Sequence, residues 1–212
     1  MKFLVAFVVL ISCVEWSVQS NYCEVGVGLS SEKSTWQDME DNCYKSVVDQ
    51  IHRELNASMT YLSMGAHFTT DRHYRPGVAT FFLEGANEER SHAKALMDYI
   101  LMRGLSVKSS AIPPLIPKLR WDSIEQALSV AMDIERSVRQ NFVDIIRVCE
   151  GSDNVRPTAN NDYHASDLLT GVFLEEQHQS IRKIAGHLAT LVKMKTTYGE
   201  FAEIMFDKTL LQ

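Results

Sequence analysis

Phe82-Leu83-Glu84-Gly85-Ala86-Asn87-Glu88-Glu89-Arg90-Ser91-His92-Ala93-Lys94-Ala95-Leu96-Met97-Asp98-Tyr99-Ile100 is the stretch that decides the fold class. Phe82, Ala86, Ala93, Leu96 and Ile100 recur at steps of three, four and seven, which lays them along one face of a helix. Pro76 and Gly77 open that helix and Gly104 closes it, so the predicted span is about 77–103. Glu89 interrupts the apolar face in its middle, and His92 follows one turn later. A carboxylate and an imidazole in a line of core residues are expensive to bury without a partner.

The same period extends to both sides. From Thr35 to about Thr69 the positions Tyr44, Val48, Ile51, Leu55, Met59, Leu62 and Ala66 predict a first long helix, ended by Arg75-Pro76-Gly77. Residues 105–120 carry Pro113, Pro114 and Pro117 and predict an extended crossover to the opposite end of a bundle. A third helix runs from Trp121-Asp122-Ser123 to about Glu150 along Ile124, Leu128, Ala131, Val138, Phe142 and Ile145. After the polar loop Gly151 to Asn161, a fourth helix is predicted over about 162–191, and Gly199 precedes a short fifth over about 200–208. No alternating strand pattern and no internal repeat is present. The fold class is therefore all-α: a four-helix bundle with one long crossover and a short C-terminal helix.

Upstream, Lys2 followed by the apolar run Phe3 to Cys13 and the residues Val18-Gln19-Ser20 reads as a secretory signal cleaved after Ser20. The predicted layout is a signal at 1–20, an N-terminal arm at 21–34 and one helical domain at 35–212. With the signal removed, no stretch is long enough to span a bilayer, and the chain enters an oxidising compartment. Lys and Arg number 21 against 27 Asp and Glu, a net charge of -6 that argues against a nucleic-acid-coating or polybasic membrane protein. It permits a collector of cations. Apolar residues at 45% exclude wholesale disorder.

Each long helix has its own polar break. The first has Val47, Ile51, Glu54, Ser58 and Tyr61 in line, putting a carboxylate and a phenol inward. Glu89 and His92 break the second, Glu135 stands between Ala131 and Val138 on the third, and Gln177 follows Leu169 and Phe173 on the fourth. Three carboxylates at similar depth need a common counter-charge, and no Lys or Arg stands at those positions. A bound pair of metal ions would provide it. Carboxylates from several helices joined by Glu-x-x-His form the donor pattern of di-iron bundles. Hard oxygen donors with a single imidazole suit iron better than zinc.

With these motifs in place the chain resembles ferritin over nearly all of its length after the signal. Glu54-Leu55-Asn56-Ala57-Ser58-Met59-Thr60-Tyr61-Leu62-Ser63-Met64 is similar to the family's first-helix signature, and Asn87-Glu88-Glu89-Arg90-Ser91-His92-Ala93 to its second-helix motif. Leu174-Glu175-Glu176-Gln177 and Phe206-Asp207-Lys208 resemble the fourth and fifth helices. The secretory signal and extra cysteines make it similar to secreted insect ferritins, and the complete ligand set to their heavy-type subunit. The resemblance implies a 24-subunit shell, shared with a light-type subunit, that oxidises Fe(II) with dioxygen and stores ferric oxide. It implies Glu54 and His92 on a first iron, Glu135 on a second, Glu89 bridging, Gln177 orienting a water or oxygen species, Tyr61 beside the centre and Glu88 as a neighbouring carboxylate. Glu175 and His178 repeat the Glu-x-x-His spacing, but the Leu169-Phe173 line favours Gln177 inside and puts that pair on the surface.

Some positions depart from the family. The acidic pair of the threefold iron-entry channel is reduced here to Asp167, with Thr170 at the second position. Glu88, Ser91 and Lys94 are expected to share the cavity side of the second helix, where the family often has three carboxylates; Glu84 restores one negative charge. Asn56-Ala57-Ser58 is a formal glycosylation sequon, expected to stay unmodified because it falls mid-helix beside a ligand. Cys13 leaves with the signal. In this topology Cys43 at the start of the first helix and Cys149 at the end of the third lie at the same end of the bundle, so an intrachain disulfide is expected. Cys23 is left for an intersubunit bond. The rival reading is a secreted helical cytokine, which needs no buried Glu and His and usually has two long crossovers. A structural ferritin subunit without catalysis is the third, against which the complete ligand set argues.

Overall fold

In the computed structural model, which describes residues 36–107, 120–151 and 161–211, the predicted helices form and their ends are capped by local chemistry. The first, α1 (Asp41–Thr69), starts where the Glu40 side chain accepts from the Cys43 amide at 2.8 Å. Its onset lies later than Thr35 because that cap, and not the apolar period, sets the first turn. A single 3₁₀ turn, Asp71–His73, leads to α2 (Pro76–Met102), which has proline in its first turn. Gly104, at φ 77°, terminates it in a conformation that favours glycine. Ser123 caps α3 (Ile124–Cys149) through Gln126, and Asp162 caps α4 (Tyr163–Leu168) through Ala165. A π segment, Leu169–Leu174, joins α4 to α5 (Glu175–Tyr198). The 3₁₀ turn Gly199–Phe201 leads into α6 (Ala202–Thr209). No strand occurs among the described residues.

The π segment corrects the expectation of one uninterrupted fourth helix. In a 3.6-residue helix each step of four overshoots a full turn by about 40°, so the steps from Leu169 to Phe173 to Gln177 would rotate Gln177 about 80° off the core line. The wider π turn absorbs the first overshoot. Leu169, Phe173 and Gln177 are accordingly all buried.

Among these elements, α1 packs most extensively on α2, α3 on α5, and α1 also on α3. Gly77 lets α2 approach α6: a Cβ there would lie 2.3 Å from the Asp207 carbonyl oxygen. Asp207 also accepts from the Val78 amide at 3.0 Å. At the other end Cys43 and Cys149 are bonded, with Cα atoms 4.6 Å apart. Nearby, buried Arg103 joins Asp38, Tyr99 and Asp162, tying the residues before α1 to the start of α4. The signal segment, Cys13, Cys23, the crossover prolines and most of the Gly151–Asn161 loop lie outside the described residues.

The apolar core divides into two clusters. One contains Tyr61, Met64, Phe68, Phe82, Trp121, Leu128 and Ile184. The other contains Val47, Ile51, Ala93, Leu96, Phe142, Leu169 and Phe173. On α1 the buried line is Val47, Ile51, Glu54, Ser58 and Tyr61, whereas Tyr44, Val48, Leu55, Met59 and Leu62 are only half-buried and Ala66 is exposed. The apolar stripe that first suggests the helix is thus its flank. The line carrying Glu54 is the one that meets the core.

Candidate metal centre

Four polar residues occupy the seam between the two apolar clusters, one from each helix of the bundle. Glu54 lies between Ile51 and Tyr61, Glu89 between Ala86 and Ala93, Glu135 between Met132 and Val138, and Gln177 between Phe173 and Ile184. They are 0%, 3%, 3% and 1% exposed, which puts three ionisable carboxyls and an amide in a region closed to bulk water. Tyr61 is buried beside them, and its hydroxyl donates to Glu135 Oε1.

Glu54, Glu89 and His92 each offer a donor atom within 4.8 Å of the others. His92 Nδ1 faces Glu89 Oε2 at 3.6 Å and Glu54 Oε2 at 4.0 Å. The Gln50 amide donates to the other Glu54 oxygen at 2.7 Å. Glu135 stands outside this triad, on α3, so the donors fall into two neighbouring groups. Glu88 is exposed and lines a small cavity with Tyr61 and Glu135.

The site is under electrostatic strain. Burial pushes the Glu54 carboxyl well above the usual carboxylate range, and Glu89 next to it adds to the rise. Burial also raises Glu135, against the hydrogen bond from Tyr61. Tyr61 itself is raised, first by burial and then by the charge of Glu135. Burial disfavours a charged His92, but Glu89, Glu54 and Glu176 outweigh it and carry its pKa to about 9.

Orphaned atoms test whether metal ions fit. Glu54 Oε2, Glu89 Oε2, Glu135 Oε2, His92 Nδ1 and both amide atoms of Gln177 are buried without a hydrogen-bond partner. Buried polar atoms are almost always paired, so this many orphans at one level of a core is abnormal for protein alone. Cations coordinated by the carboxylate and imidazole lone pairs would satisfy the Glu and His atoms of this set and displace the excess protons. The donor set, oxygen-rich with one nitrogen, fits iron.

Two neighbours of the site escaped the sequence reading. Glu176 reaches His92 Nε2, 3.1 Å from its Oε2. Gln50 was detectable as an amide one turn before a buried carboxylate. Glu176 was not, because its direction depends on the π segment. Glu175 and His178 are exposed, as are Asp167 and Thr170 on the fourth helix and Glu84, Ser91 and Lys94 on α2. Asn56, expected to have no room for a glycan within the bundle, is exposed on α1, about 200° around the helix from Glu54. Its sequon partner Ser58 is the buried one, donating to the Ala86 carbonyl at 2.6 Å.

An all-α bundle crossed by a buried layer of carboxylates and one imidazole belongs to the class that holds metal ions between its helices. The comparisons specify the class. A Ferritin-like domain model matches residues 45–194. The ferritin heavy chain of Drosophila melanogaster is 40% identical over 210 residues, covering 98% of both chains. That of Papilio xuthus is 41% identical over 179 residues, covering 83% of this chain and 82% of its own. The crystal structure of Trichoplusia ni secreted ferritin superposes with a TM-score of 0.77 at 39% identity, covering 84% of this chain and 92% of that one. The chain belongs to the ferritin family.

Proposed function

We propose that this chain is a ferroxidase-bearing, iron-storing subunit of a ferritin shell. The observation that carries the reading is the buried layer of orphaned donors contributed by all four helices. Iron is the substrate. Each Fe(II) gives an electron to dioxygen, and that redox chemistry belongs to iron and oxygen.

In this reading Glu54 and His92 hold one iron, Glu89 reaches toward both, and Glu135 holds the second. Gln177 presents its amide to a water or oxygen species between the helices. Tyr61 fixes the Glu135 carboxylate through its hydroxyl and so keeps the remaining oxygen free for metal. Gln50 does the same for Glu54. The two apolar clusters above and below the layer keep water out and limit the centre to its own donors. Glu88 stands on the way out, and Asp167 with Thr170 would line a channel between subunits.

The likeness to a secreted ferritin and the apolar run Phe3 to Cys13 support a secretory route for the 21–212 chain. Among the described residues no helix is long and apolar enough to cross a membrane. The relatives' heavy-chain names fit a mixed shell with a light-type subunit; a 24-subunit form and a Cys23 bond between subunits belong to the same proposal. The test is aerobic oxidation of Fe(II) by shells of this chain alone, at two irons per subunit. Oxidation no faster than in protein-free buffer rejects the reading.

A further inference from the structure

His92 is the only imidazole in the donor triad, and its two ring nitrogens face different surroundings. Nδ1 points into the core toward Glu54 and Glu89. Nε2 points to the rim, 3.1 Å from Glu176 Oε2. Glu176 is 46% exposed in its side chain and so stands outside the dry donor layer. It lines a groove of about 410 Å³ between α2 and the fourth helix, together with Glu88, Ser91 and Phe173. The Phe173 ring meets the imidazole edge-on, with centroids 6.0 Å apart. That contact holds the plane of the ring. It does not distinguish nitrogen from carbon, so an imidazole turned by 180° about its Cβ–Cγ bond would pack against Phe173 almost equally well. On the outer side, a hydrogen-bond acceptor at Nε2 tells the two orientations apart, and Glu176 is placed to supply it.

We propose that Glu176 is a positioning residue for the metal centre: its carboxylate holds the Nε2 proton of His92 and thereby commits Nδ1, as a lone-pair donor, to the site shared with Glu54 and Glu89. The inference rests on the metal-centre reading above. The physical model is the general one for metal-bound histidine, whose second nitrogen donates to a carboxylate that fixes both tautomer and ring orientation. The π segment makes it possible here. By keeping Gln177 on the core line, it places the preceding residue at the rim beside His92.

The experiment uses apo shells of the whole chain titrated anaerobically with Co(II), followed by the visible absorption of the bound ion. A second readout is the Fe(II) concentration that half-saturates aerobic oxidation. Glu176→Ala is expected to weaken Co(II) binding by about 10–100-fold and to raise the Fe(II) half-saturation in step, with a smaller change in the maximal rate. Glu176→Gln keeps an acceptor oxygen and is expected to recover most of the affinity. Glu175→Ala, at an exposed neighbouring position, is expected to bind as the wild type does. Thermal unfolding of the apo shells verifies that all three variants are folded. Wild-type affinity in Glu176→Ala, or a Glu176→Gln variant as weak as Glu176→Ala, overturns the positioning role. His92→Ala separates the two claims. If it binds Co(II) like the wild type, the metal-centre reading falls and this inference with it. If it loses affinity while Glu176→Ala does not, only the positioning role falls.

Discussion

Replacing Glu89 and His92 together by alanine is the most direct test of the centre, because the two project from one turn of α2 into the same space. Of the triad within 4.8 Å, only Glu54 would remain, and the single imidazole would be gone. Loss of an outer-shell partner alone costs about 10–100-fold in metal affinity or activity. Removing two direct donors is therefore expected to slow Fe(II) oxidation by more than about 100-fold. The bundle should survive. Glu89 and His92 attract across 3.6 Å, a Coulomb gain of about 4–5 kcal/mol at an effective dielectric of about 20. Burying the two charges costs several kcal/mol per ion, at least as much as the pair gains, so removing both charges is neutral or mildly stabilising before the cavity is counted. What remains is the cavity, about 1–3 kcal/mol. The assay is stopped-flow absorbance of Fe(III) at two irons per subunit, with sedimentation of the shell alongside. Glu175→Ala with His178→Ala, both exposed, is the control and should oxidise iron normally. Unchanged oxidation in the first variant, or loss only in the second, would refute the placement of the centre.

Metal binding should release protons and tighten as the pH rises toward 9, because His92 holds its proton to about 9 and Glu54 and Glu135 are also raised; calorimetry in buffers of different ionisation enthalpy measures the release, and none detected contradicts the reading. The same shift has a sign for the apo fold: His92 is raised above its unfolded value of about 6.5, so its stabilisation is full below that value and is lost as the pH climbs through about 9. Thermal unfolding across that window should show the decline. Cys43→Ala with Cys149→Ala opens a loop with a sequence separation of 106; it should destabilise the subunit by at most about 4–5 kcal/mol, and identical melting of oxidised and reduced wild type would count against it. Tyr61→Phe leaves Glu135 without its donor and should cost about 1.5–3 kcal/mol in the apo protein and slow oxidation, read by denaturant titration and stopped flow. Finally, with Ser91 and Lys94 exposed beside Glu88 on α2, shells of this chain alone should form mineral cores more slowly than mixed shells at equal oxidation rate. Equal core growth, followed by light scattering, would reject that.

What the sequence by itself determined was whatever repeats along a single helix. The apolar period placed α2, α3 and α6 to within a few residues and the end of α1, whose start lies six residues later than expected, and Pro76, Gly104 and Ser123 marked ends through chemistry that acts within one turn. The donors were legible for the same reason: a Glu or Gln within an apolar line is conspicuous wherever the neighbouring helices lie. Cys43 and Cys149 could be paired because helix order and direction alone bring those ends together. The tertiary structure decided everything that depends on how one helix faces another. It selected the Val47–Tyr61 line of α1 over the more apolar flank, because packing against α2 and α3 sets the rotation of the helix. It introduced the π segment, since contact with the neighbouring helices keeps Leu169, Phe173 and Gln177 in register on the core side. It turned Asn56 outward and brought Glu176 to the outer nitrogen of His92. A helical period states which residues share a face; the distances between faces come from packing, and the direction of an imidazole is set by those distances.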